Sequence, residues 1–512
     1  MFSSKSQFYL KMKNFKYIII GLCCSVTLFS GCKKFLNVVP IDNLTGNNYW
    51  QNKKDVEAYT SGLYQQFRAK VAGENAKAFY LTFDVRNAPI VAAASHLNLL
   101  AGGNIRALQG NSEWGKDAAY GYYRMTDWKA FYDIIQAANI LVAQVDKIPT
   151  ATFSENDKKR YRAEAVFMRN LCYLFMVRLY GDVPYYTEAY HTTPLPRMPM
   201  VEVLERCIAD MEALKEDLPW TYGDQSIVAI RATRGSALAL MMHLNMWAAA
   251  FDPGKAEAHY RSTKALGDEL LANPGVHELL PLERTKEIFK GRTKEGLFEV
   301  LQNSNYGEFF NIRSNLASIM TYYPYRGTVT KTTNDGYYTT KYMESIYPSS
   351  AGPDKRLTIW FDQPFSGNNK FQFLKFINVY GGEGVSVRND DNIIVFRYSD
   401  AILLAAEAAA ELEDVGEGQR LVNLVRVRAG ASLITTTGSD LKDDIYMERC
   451  RELMGEGHYY NDLVRTKRIM NIKFNLSKVM SVSDFIQGGW TWPIYEDALK
   501  NNPYMKLNEF WK

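Results

Sequence analysis

Residues 160–184 read RYRAEAVFMRNLCYLFMVRLYGDVP and form the most clearly patterned stretch of the chain. Four positions recur at spacings of four and three residues and therefore share one helix face: Phe167, Leu171, Leu174 and Arg178. Gly181 and then Pro184 follow, a combination typical of a helix end. The stretch predicts a long helix over residues 160–180 that stops abruptly.

Helical patterns of similar length occur on both sides of this stretch. One begins at Lys53, and the others occupy residues 128–145, 200–215, 234–251, 398–412 and 418–429. Consecutive helices joined by short breakers predict a mainly α fold built from antiparallel helix pairs of tetratricopeptide type. A strict period of roughly 34 residues is not visible, so the repeats are expected to be irregular.

Two long stretches interrupt the helical pattern. They are residues 88–121 and residues 273–392, and the second is rich in Gly, Asn, Tyr and Pro. Short strands are expected within it at residues 296–301 and 371–380. Irregular chain of this length inside a compact protein is usually functional. We therefore predict a helical scaffold that carries two long excursions.

Aromatic residues crowd both excursions and form the predicted binding surface. Tyr and Trp rings can stack on the apolar C–H faces of sugar rings, while neighbouring Asn, Asp and Arg side chains bind the hydroxyl groups. The candidate ligand-binding residues are Trp114, Tyr120, Tyr122, Tyr322, Tyr323, Tyr325 and Trp360. For any single ring, packing within its own loop is the alternative role.

The N-terminus has the features of an export signal. A basic segment and then an apolar segment, together residues 11–29, precede Ser-Gly-Cys at residues 30–32. The apolar run is shorter than the ~20 residues of a membrane-spanning helix. We predict a lipoprotein signal peptide over residues 1–31, acylation of Cys32, and a lipid-anchored leader over residues 32–50. An ordinary secretory signal is the alternative.

Composition excludes several classes of function. Removal of residues 1–31 removes four lysines and no acidic residue, so the formal net charge falls from +4 to zero and no nucleic-acid partner is expected. The cysteines after Cys32 are odd in number and lie in helical patterns, so no disulfide framework is predicted. The six histidines include no pair at metal-ligand spacing, so no metal site is predicted.

Catalytic motifs are also missing from the sequence. Residues 110–117, GNSEWGKD, approach a phosphate-binding loop, but Asp117 stands where a hydroxyl group is required. No Gly-x-Ser-x-Gly elbow occurs. We therefore predict a protein that is not an enzyme, with no catalytic residues and no cofactor. A glycosidase needs only two carboxylates and stays an open alternative.

Several blocks, in order along the chain, resemble the SusD/RagB family of outer-membrane nutrient-binding lipoproteins. They are CKKFLNVVP at 32–40, RAEAVFMR at 162–169, LYGDVP at 179–184, IIVFRY at 393–398, LLAAEA at 403–408, NLVRVRAG at 423–430, ERCREL at 448–453 and WPI at 492–494. The resemblance spans nearly the whole mature chain, although Cys450 replaces a usual arginine. The blocks are helix cores and caps with Arg–Glu pairs, so they identify the scaffold rather than the ligand site.

The resemblance implies a SusD-like fold. Such a fold is mainly α, with irregular tetratricopeptide-type helix pairs, long irregular insertions and a few short strands. It implies an N-terminal helical scaffold over residues 51–272, which carries the excursion at residues 88–121. It also implies a C-terminal SusD/RagB region over residues 273–512, with the aromatic-rich excursion at residues 273–392 and helices at residues 393–470.

The resemblance also implies a function. A protein of this family is non-catalytic, is held by its lipid on the exterior face of the outer membrane, captures oligosaccharides and passes them to a SusC-like TonB-dependent barrel. Of the candidate site residues, only Cys32 matches a functional position of the family. Peptides or another nutrient are alternative ligands. A surface glycoside hydrolase and a purely structural partner of the barrel are the alternative functions.

Overall fold

The structure, a computed structural model, describes residues 49–72, 76–310, 314–381, 386–500 and 502–512. The predicted signal peptide of residues 1–31, Cys32 and most of the leader of residues 32–50 lie outside the described residues. The described chain is mainly helical and has a few short strands, which confirms the predicted fold class.

Nineteen α-helices lie within the described residues. Those before residue 273 are α1 (Lys53–Val71), α2 (Phe79–Val85), α3 (Ser95–Ala101), α4 (Ile105–Gln109), α5 (Lys129–Val145), α6 (Glu155–Tyr180), α7 (Met200–Glu212), α8 (Arg234–Phe251) and α9 (Ala256–Leu271). Those that follow are α10 (Thr285–Lys290), α11 (Ala317–Met320), α12 (Thr340–Ile346), α13 (Arg356–Ile359), α14 (Tyr398–Glu411), α15 (Val415–Arg428), α16 (Gly438–Glu452), α17 (Tyr459–Arg465), α18 (Val482–Ile486) and α19 (Glu496–Lys500).

Eight short strands of the described chain form four antiparallel pairs. The pairs are β1 (Ile90–Ala92) with β3 (Gly336–Tyr338), β2 (Gly296–Val300) with β8 (Ile393–Arg397), β4 (Phe361–Asp362) with β5 (Gln372–Phe373), and β6 (Val379–Tyr380) with β7 (Arg388–Asn389). In the first pair Ile90 lies opposite Tyr338, so this pair joins the two predicted excursions.

The long helices pack against their neighbours in sequence. Helix α5 contacts α6, α6 contacts α7, α7 contacts α8, and α8 contacts α9. Later in the chain, α14 contacts both α15 and α16, and α14 also lies against α9. Side-by-side packing of consecutive helices fits the predicted helix-pair scaffold, and the α9–α14 contact connects its earlier and later parts.

Helix α6 lies in a hydrophobic core that extends from Val56 to Ile494. Every residue of α6 from Ala163 to Tyr180 is buried. Glu164 is among them, and its carboxylate lies 2.6 Å from guanidinium nitrogens of both Arg160 and Arg231. A buried charge needs such partners. The RAEAVFMR block is therefore part of a core helix, as predicted. Its Glu164 pairs with Arg160 of the same helix and with Arg231 from the segment before α8.

Most of the predicted helices are confirmed, with shifts at their ends. Helix α8 has the predicted bounds of residues 234–251. Helix α6 begins before residue 160 because the Ser154 hydroxyl accepts a hydrogen bond from the Asp157 N–H at 3.2 Å and caps an earlier turn. Helix α7 ends at Glu212, three residues before the predicted end.

Two predictions about local structure are wrong. Residues 393–397 form strand β8 rather than helix, because this β-branched and aromatic segment pairs with β2. Residues 88–121 are not irregular throughout, since they contain β1, α3 and α4. Residues 371–380 form strand only at β5 and β6. The division of the chain at residue 273 stays a prediction.

A candidate ligand-binding cavity

A cavity of about 360 Å³ lies between the end of α1 and two loops of the central excursion. Its lining is Arg68, Ala72, Gly307, Phe309, Phe310, Asn315, Ala317, Ser318, Thr321, Tyr325, Arg326, Phe376, Ser386, Val387, Arg388 and Asn389. Two reciprocal backbone hydrogen bonds tie the loops together: Gly327 N–H to Val387 O at 3.2 Å, and Val387 N–H to Gly327 O at 2.8 Å. Residues distant in sequence thus form one wall.

Four aromatic rings line the cavity: Phe309, Phe310, Tyr325 and Phe376. Phe310 and Phe376 are buried and meet edge to face, with ring centroids 6.2 Å apart. Phe309 and Tyr325 are only half-buried, and Phe309 meets Tyr380 at 6.2 Å. Two rings therefore belong to the core, and two present apolar surface that a ligand can contact.

Two of the arginines that line the cavity are held by acidic neighbours. Arg68 Nε lies 3.3 Å from Glu308 Oε1, and Arg326 Nη2 lies 2.7 Å from Asp335 Oδ2. Burial opposes the charged form of Asp335, but Arg326 and Lys331 outweigh it and hold the pKa of Asp335 below its usual value. These pairs fix the arginine side chains in place around the cavity.

Asn315 is fixed just before α11. Its Oδ1 accepts a hydrogen bond from the Ser318 N–H at 2.8 Å, and the Ser318 hydroxyl donates back to the Asn315 carbonyl. Asn315 is 3% exposed, and its Nδ2 has no acceptor among the described residues. The Nη1 of Arg326 is buried and equally lacks an acceptor within the described chain. Both nitrogen atoms are enclosed by protein, so they are not accessible to a ligand in the cavity.

Arg388 lies on the opposite wall, on β7. The β6–β7 pairing positions it, since Tyr380 of β6 lies opposite Arg388 in the register. The centre of its guanidinium lies 4.3 Å from the Phe309 ring centroid, a cation–π arrangement that orients the planar group. Arg388 is exposed, so this oriented charge is accessible at the cavity.

The predicted tyrosines of the central excursion lie at or beside the cavity. Tyr325 lines it. Tyr323 is exposed in the same turn, and the half-buried Tyr322 directs its hydroxyl to the Lys370 carbonyl at 3.4 Å. Among the predicted residues, Tyr325 therefore has the placement that suits ligand contact best.

Three other predicted rings are enclosed by protein. Trp360 is 1% exposed, its Nε1–H donates to Thr285 Oγ1 at 3.0 Å, and Lys375 Nζ lies 4.4 Å from its ring centroid. Tyr120 and Tyr122 are also buried and stack with centroids 5.6 Å apart. The expectation that these three residues contact ligand is corrected, because the core and the loops surround their faces.

Trp114 is half-buried and lies away from the cavity lining. It stacks on Trp492, with ring centroids 6.3 Å apart, and meets Tyr123 edge to face at 6.5 Å. Its ring thus connects the first excursion to the C-terminal part of the chain. A ligand contact at Trp114 stays a prediction.

The sequence did not single out the polar residues of the cavity. Arg68, Asn315 and Arg388 come from three separate segments, and nothing local marks any of them. Phe309 and Phe310 belong to the aromatic-rich excursion, and its high aromatic content was the signal that could have identified them. The fold alone brings these groups to one place.

A second aromatic surface lies elsewhere on the protein and shares no residue with the cavity. Tyr132, Tyr186 and His191 stack in sequence, with centroid separations of 5.9 Å and 4.8 Å. They line a trough of about 300 Å³ together with Tyr495 and other residues. This surface is the competing location for a ligand.

The structure also brings together three groups of metal-ligand type that sequence spacing did not reveal. His243, Asp400 and His458 are buried, and His243 Nε2 lies 2.7 Å from Asp400 Oδ2. Arg178 Nη2 donates to His243 Nδ1 at 2.8 Å, and Arg449 Nη1 lies 2.9 Å from Asp400 Oδ1. Burial lowers the pKa of His243 to about 3. Two guanidiniums disfavour a cation here, so we interpret the cluster as a structural network.

Comparison with known proteins establishes the family. Residues 302–511 match the model of the SusD family, and residues 35–245 match a family model described as starch-binding and associating with the outer membrane. The crystal structure of a SusD homolog from Bacteroides thetaiotaomicron VPI-5482 is 40% identical, superposes with a TM-score of 0.83, and covers 91% of this chain and 100% of that chain. This chain belongs to the SusD family.

Two more distant proteins match most of this chain. SusD-like protein P38 from Formosa agariphila is 23% identical, and the match covers 97% of this chain and 99% of that protein. Surface glycan-binding protein A from Bacteroides uniformis is 17% identical with a TM-score of 0.66, covering 89% of this chain and 99% of that chain. The recognition of the SusD/RagB family from the sequence is confirmed. Within the described part of this SusD family member, no helix is long and apolar enough to cross a bilayer.

Proposed function

We propose that this SusD family member binds oligosaccharides in the cavity beside Phe309 and Tyr325. The observation that carries the proposal is the combination of two accessible rings, Phe309 and Tyr325, with the exposed and oriented guanidinium of Arg388. Binding pockets typically pair apolar surface with a few well-placed polar groups. Ring faces suit the C–H faces of sugars, and the guanidinium N–H groups suit their oxygen atoms.

The comparisons support a carbohydrate ligand. One matching family model is described as starch-binding, and a protein of the same fold is named a surface glycan-binding protein. Peptides or another nutrient are the alternative ligands for this cavity, because aromatic rings and arginines also suit peptide chains. Calorimetric titration with both oligosaccharides and peptides separates these ligands.

We further propose that binding occurs without catalysis. A glycoside hydrolase requires two carboxylates around the scissile bond. The described residues that line the cavity include no aspartate or glutamate, and the neighbouring Glu308 and Asp335 are paired with Arg68 and Arg326. The lining therefore favours capture of a glycan over its hydrolysis.

The proposed setting is the exterior face of the outer membrane. Acylation of Cys32 supplies the anchor, and residues 32–50 act as a tether. A SusC-like TonB-dependent barrel is the proposed partner, which receives the captured oligosaccharide. A tether of this kind raises the local concentration of the cavity at the mouth of the barrel without any new contact. The family description as outer-membrane-associated supports this placement.

Replacement of Tyr325 tests the proposed ligand and its location together. The mature protein is titrated calorimetrically with a panel of oligosaccharides and peptides, and at least one oligosaccharide is expected to bind. Tyr325→Ala should weaken that binding about tenfold, the loss expected when a ring contact worth about 1.4 kcal/mol is removed. Tyr325→Phe keeps the ring and should restore most of the affinity.

Tyr190→Ala is the matched control, because Tyr190 is 57% exposed and lies outside the cavity lining. It should bind like the wild type. Binding of peptides alone would contradict the proposed ligand, and equal affinities of wild type and Tyr325→Ala would contradict the proposed location. Turnover of a bound glycan, abolished by replacing one acid in a folded variant, would contradict the non-catalytic role.

A further inference from the structure

The charged side chains in the described lining of the cavity are all arginines. Arg68, Arg326 and Arg388 line it, whereas the described lining contains no carboxylate. Glu308 and Asp335 neutralise the first two arginines. Arg388 differs from them, because it forms no ion pair with any carboxylate of the described chain while it is exposed at the cavity. Among the described residues, the guanidinium of Arg388 thus has no carboxylate partner at the site.

The guanidinium of Arg388 is also pre-organised. It lies over the Phe309 ring at 4.3 Å, and its strand β7 is held by β6 and by the Gly327–Val387 bonds. A planar, oriented guanidinium matches the geometry of carboxylate and sulfate groups and can bind them through two parallel hydrogen bonds. Such charge-assisted bonds are roughly twice as strong as those to neutral hydroxyls.

The hydrogen-bonding chemistry of the Arg388 guanidinium adds to this preference. An arginine side chain only donates hydrogen bonds, so its partners must be acceptors. Carboxylate and sulfate oxygens only accept hydrogen bonds, whereas a sugar hydroxyl both donates and accepts. The described lining thus favours an acceptor-rich, anionic ligand.

We propose that the ligand of this cavity is an acidic oligosaccharide, whose carboxylate or sulfate group pairs with Arg388 while its sugar ring contacts Phe309 or Tyr325. This inference rests on the proposed function and narrows it to one class of glycan. Neutral starch-like chains are then the weaker ligands.

Calorimetry with charge-matched pairs of probes tests the proposal. One pair is tetragalacturonate and its fully methyl-esterified, neutral counterpart, and the other is a sulfated carrageenan tetrasaccharide and its desulfated counterpart. In at least one pair the acidic probe should bind about tenfold more tightly at about 50 mM NaCl, and the difference should shrink at about 500 mM because salt screens the ion pair. The pair that responds identifies whether carboxylate or sulfate is recognised.

Arg388→Gln should weaken binding of the acidic probe about tenfold and remove its salt dependence. Arg388→Lys keeps the positive charge but lacks the planar guanidinium that forms two parallel hydrogen bonds, so it should restore part of the affinity. Arg420→Gln is the matched control, since Arg420 is an exposed arginine paired with Glu417 on α15, and it should bind like the wild type. Thermal unfolding confirms that each variant is folded.

The outcomes separate this inference from the proposed function. Neutral and acidic probes that bind equally would overturn the acidic ligand and leave oligosaccharide binding intact. Binding of neutral probes alone would do the same. Binding of an acidic peptide such as tetraglutamate, with no saccharide bound at all, would overturn both proposals.

Discussion

The buried residue Glu299 affects how the stability of the protein depends on pH. It lies on β2, is 1% exposed, and its Oε2 accepts hydrogen bonds from the Arg292 N–H and from Asn392 Nδ2, both at 2.9 Å. Its Oε1 has no partner among the described residues. Burial therefore raises the pKa of Glu299 from 4.5 to about 7, against the opposing effect of these hydrogen bonds.

The raised pKa predicts a pH dependence of stability. The pKa of Glu299 is lower in the unfolded state than in the folded state. At pH values between the two, the native state binds a proton at Glu299 that the unfolded state does not. The free energy of unfolding therefore falls as pH rises through this range. Glu299→Gln removes that contribution. Between about pH 5 and pH 8, the stability of Glu299→Gln relative to wild type should rise by on the order of 3 kcal/mol. Urea unfolding at each pH measures it, and a pH-independent difference would refute the assignment.

Residue-level placement was the part of the site that the sequence predicted least well. Tyr325 and Trp360 were equally good candidates by composition, yet Tyr325 lines the cavity while Trp360 is enclosed by Thr285, Lys375 and their neighbours. An aromatic side chain in a loop can face a cavity or the protein core. Its orientation depends on contacts with distant residues, and no local sequence pattern encodes these contacts.

At the scale of elements, a buried ion network connects β8, α13, α15 and α16. Glu452 ends α16 and is fully buried, and its carboxylate lies 2.7 Å from Arg397 Nη1 and 3.0 Å from Arg356 Nη1. It also pairs with Arg428 of α15. Burial raises the pKa of Glu452, but Arg428, Arg397 and Arg356 outweigh it and hold that pKa below its usual value. The ERCREL block thus stabilises the junction of several elements.

Removal of this charge should be strongly destabilising. Glu452→Gln removes one carboxylate that three buried guanidiniums share, although each keeps a second partner in Glu295, Glu448 or Glu456. Breaking a buried pair costs about 3–5 kcal/mol. Denaturant unfolding measures the loss. The control Glu257→Gln removes an exposed pair with Arg261 and should leave the unfolding free energy nearly unchanged. A loss at Glu452 no larger than at Glu257 would contradict the structural role of the network.

Elements with strong local signals were predicted well. Helix α8 has the predicted bounds, since its Thr233 cap and apolar pattern are both local. Strand β8 was missed because it directly precedes helix α14 and its identity depends on pairing with β2, about a hundred residues earlier. The cavity depends on the same kind of long-range contact, so its position could not be read from the chain.

At the scale of the whole molecule, the two ends of the described chain support each other. Arg86, after α2, donates to the carbonyls of Gly489 and Thr491 at 2.9 and 3.2 Å, and Trp114 stacks on Trp492. The helical scaffold carries the central excursion, and that excursion forms most of the cavity. This arrangement is suited to a protein whose binding site lies on a well-packed helical scaffold.

A crystal structure of the mature protein with its tightest-binding oligosaccharide tests most directly whether this cavity holds the ligand. We expect sugar density against Phe309 and Tyr325, with Arg388 within hydrogen-bonding distance of the ligand. Density on the Tyr132–Tyr186–His191 surface, with the cavity free of sugar, would contradict it.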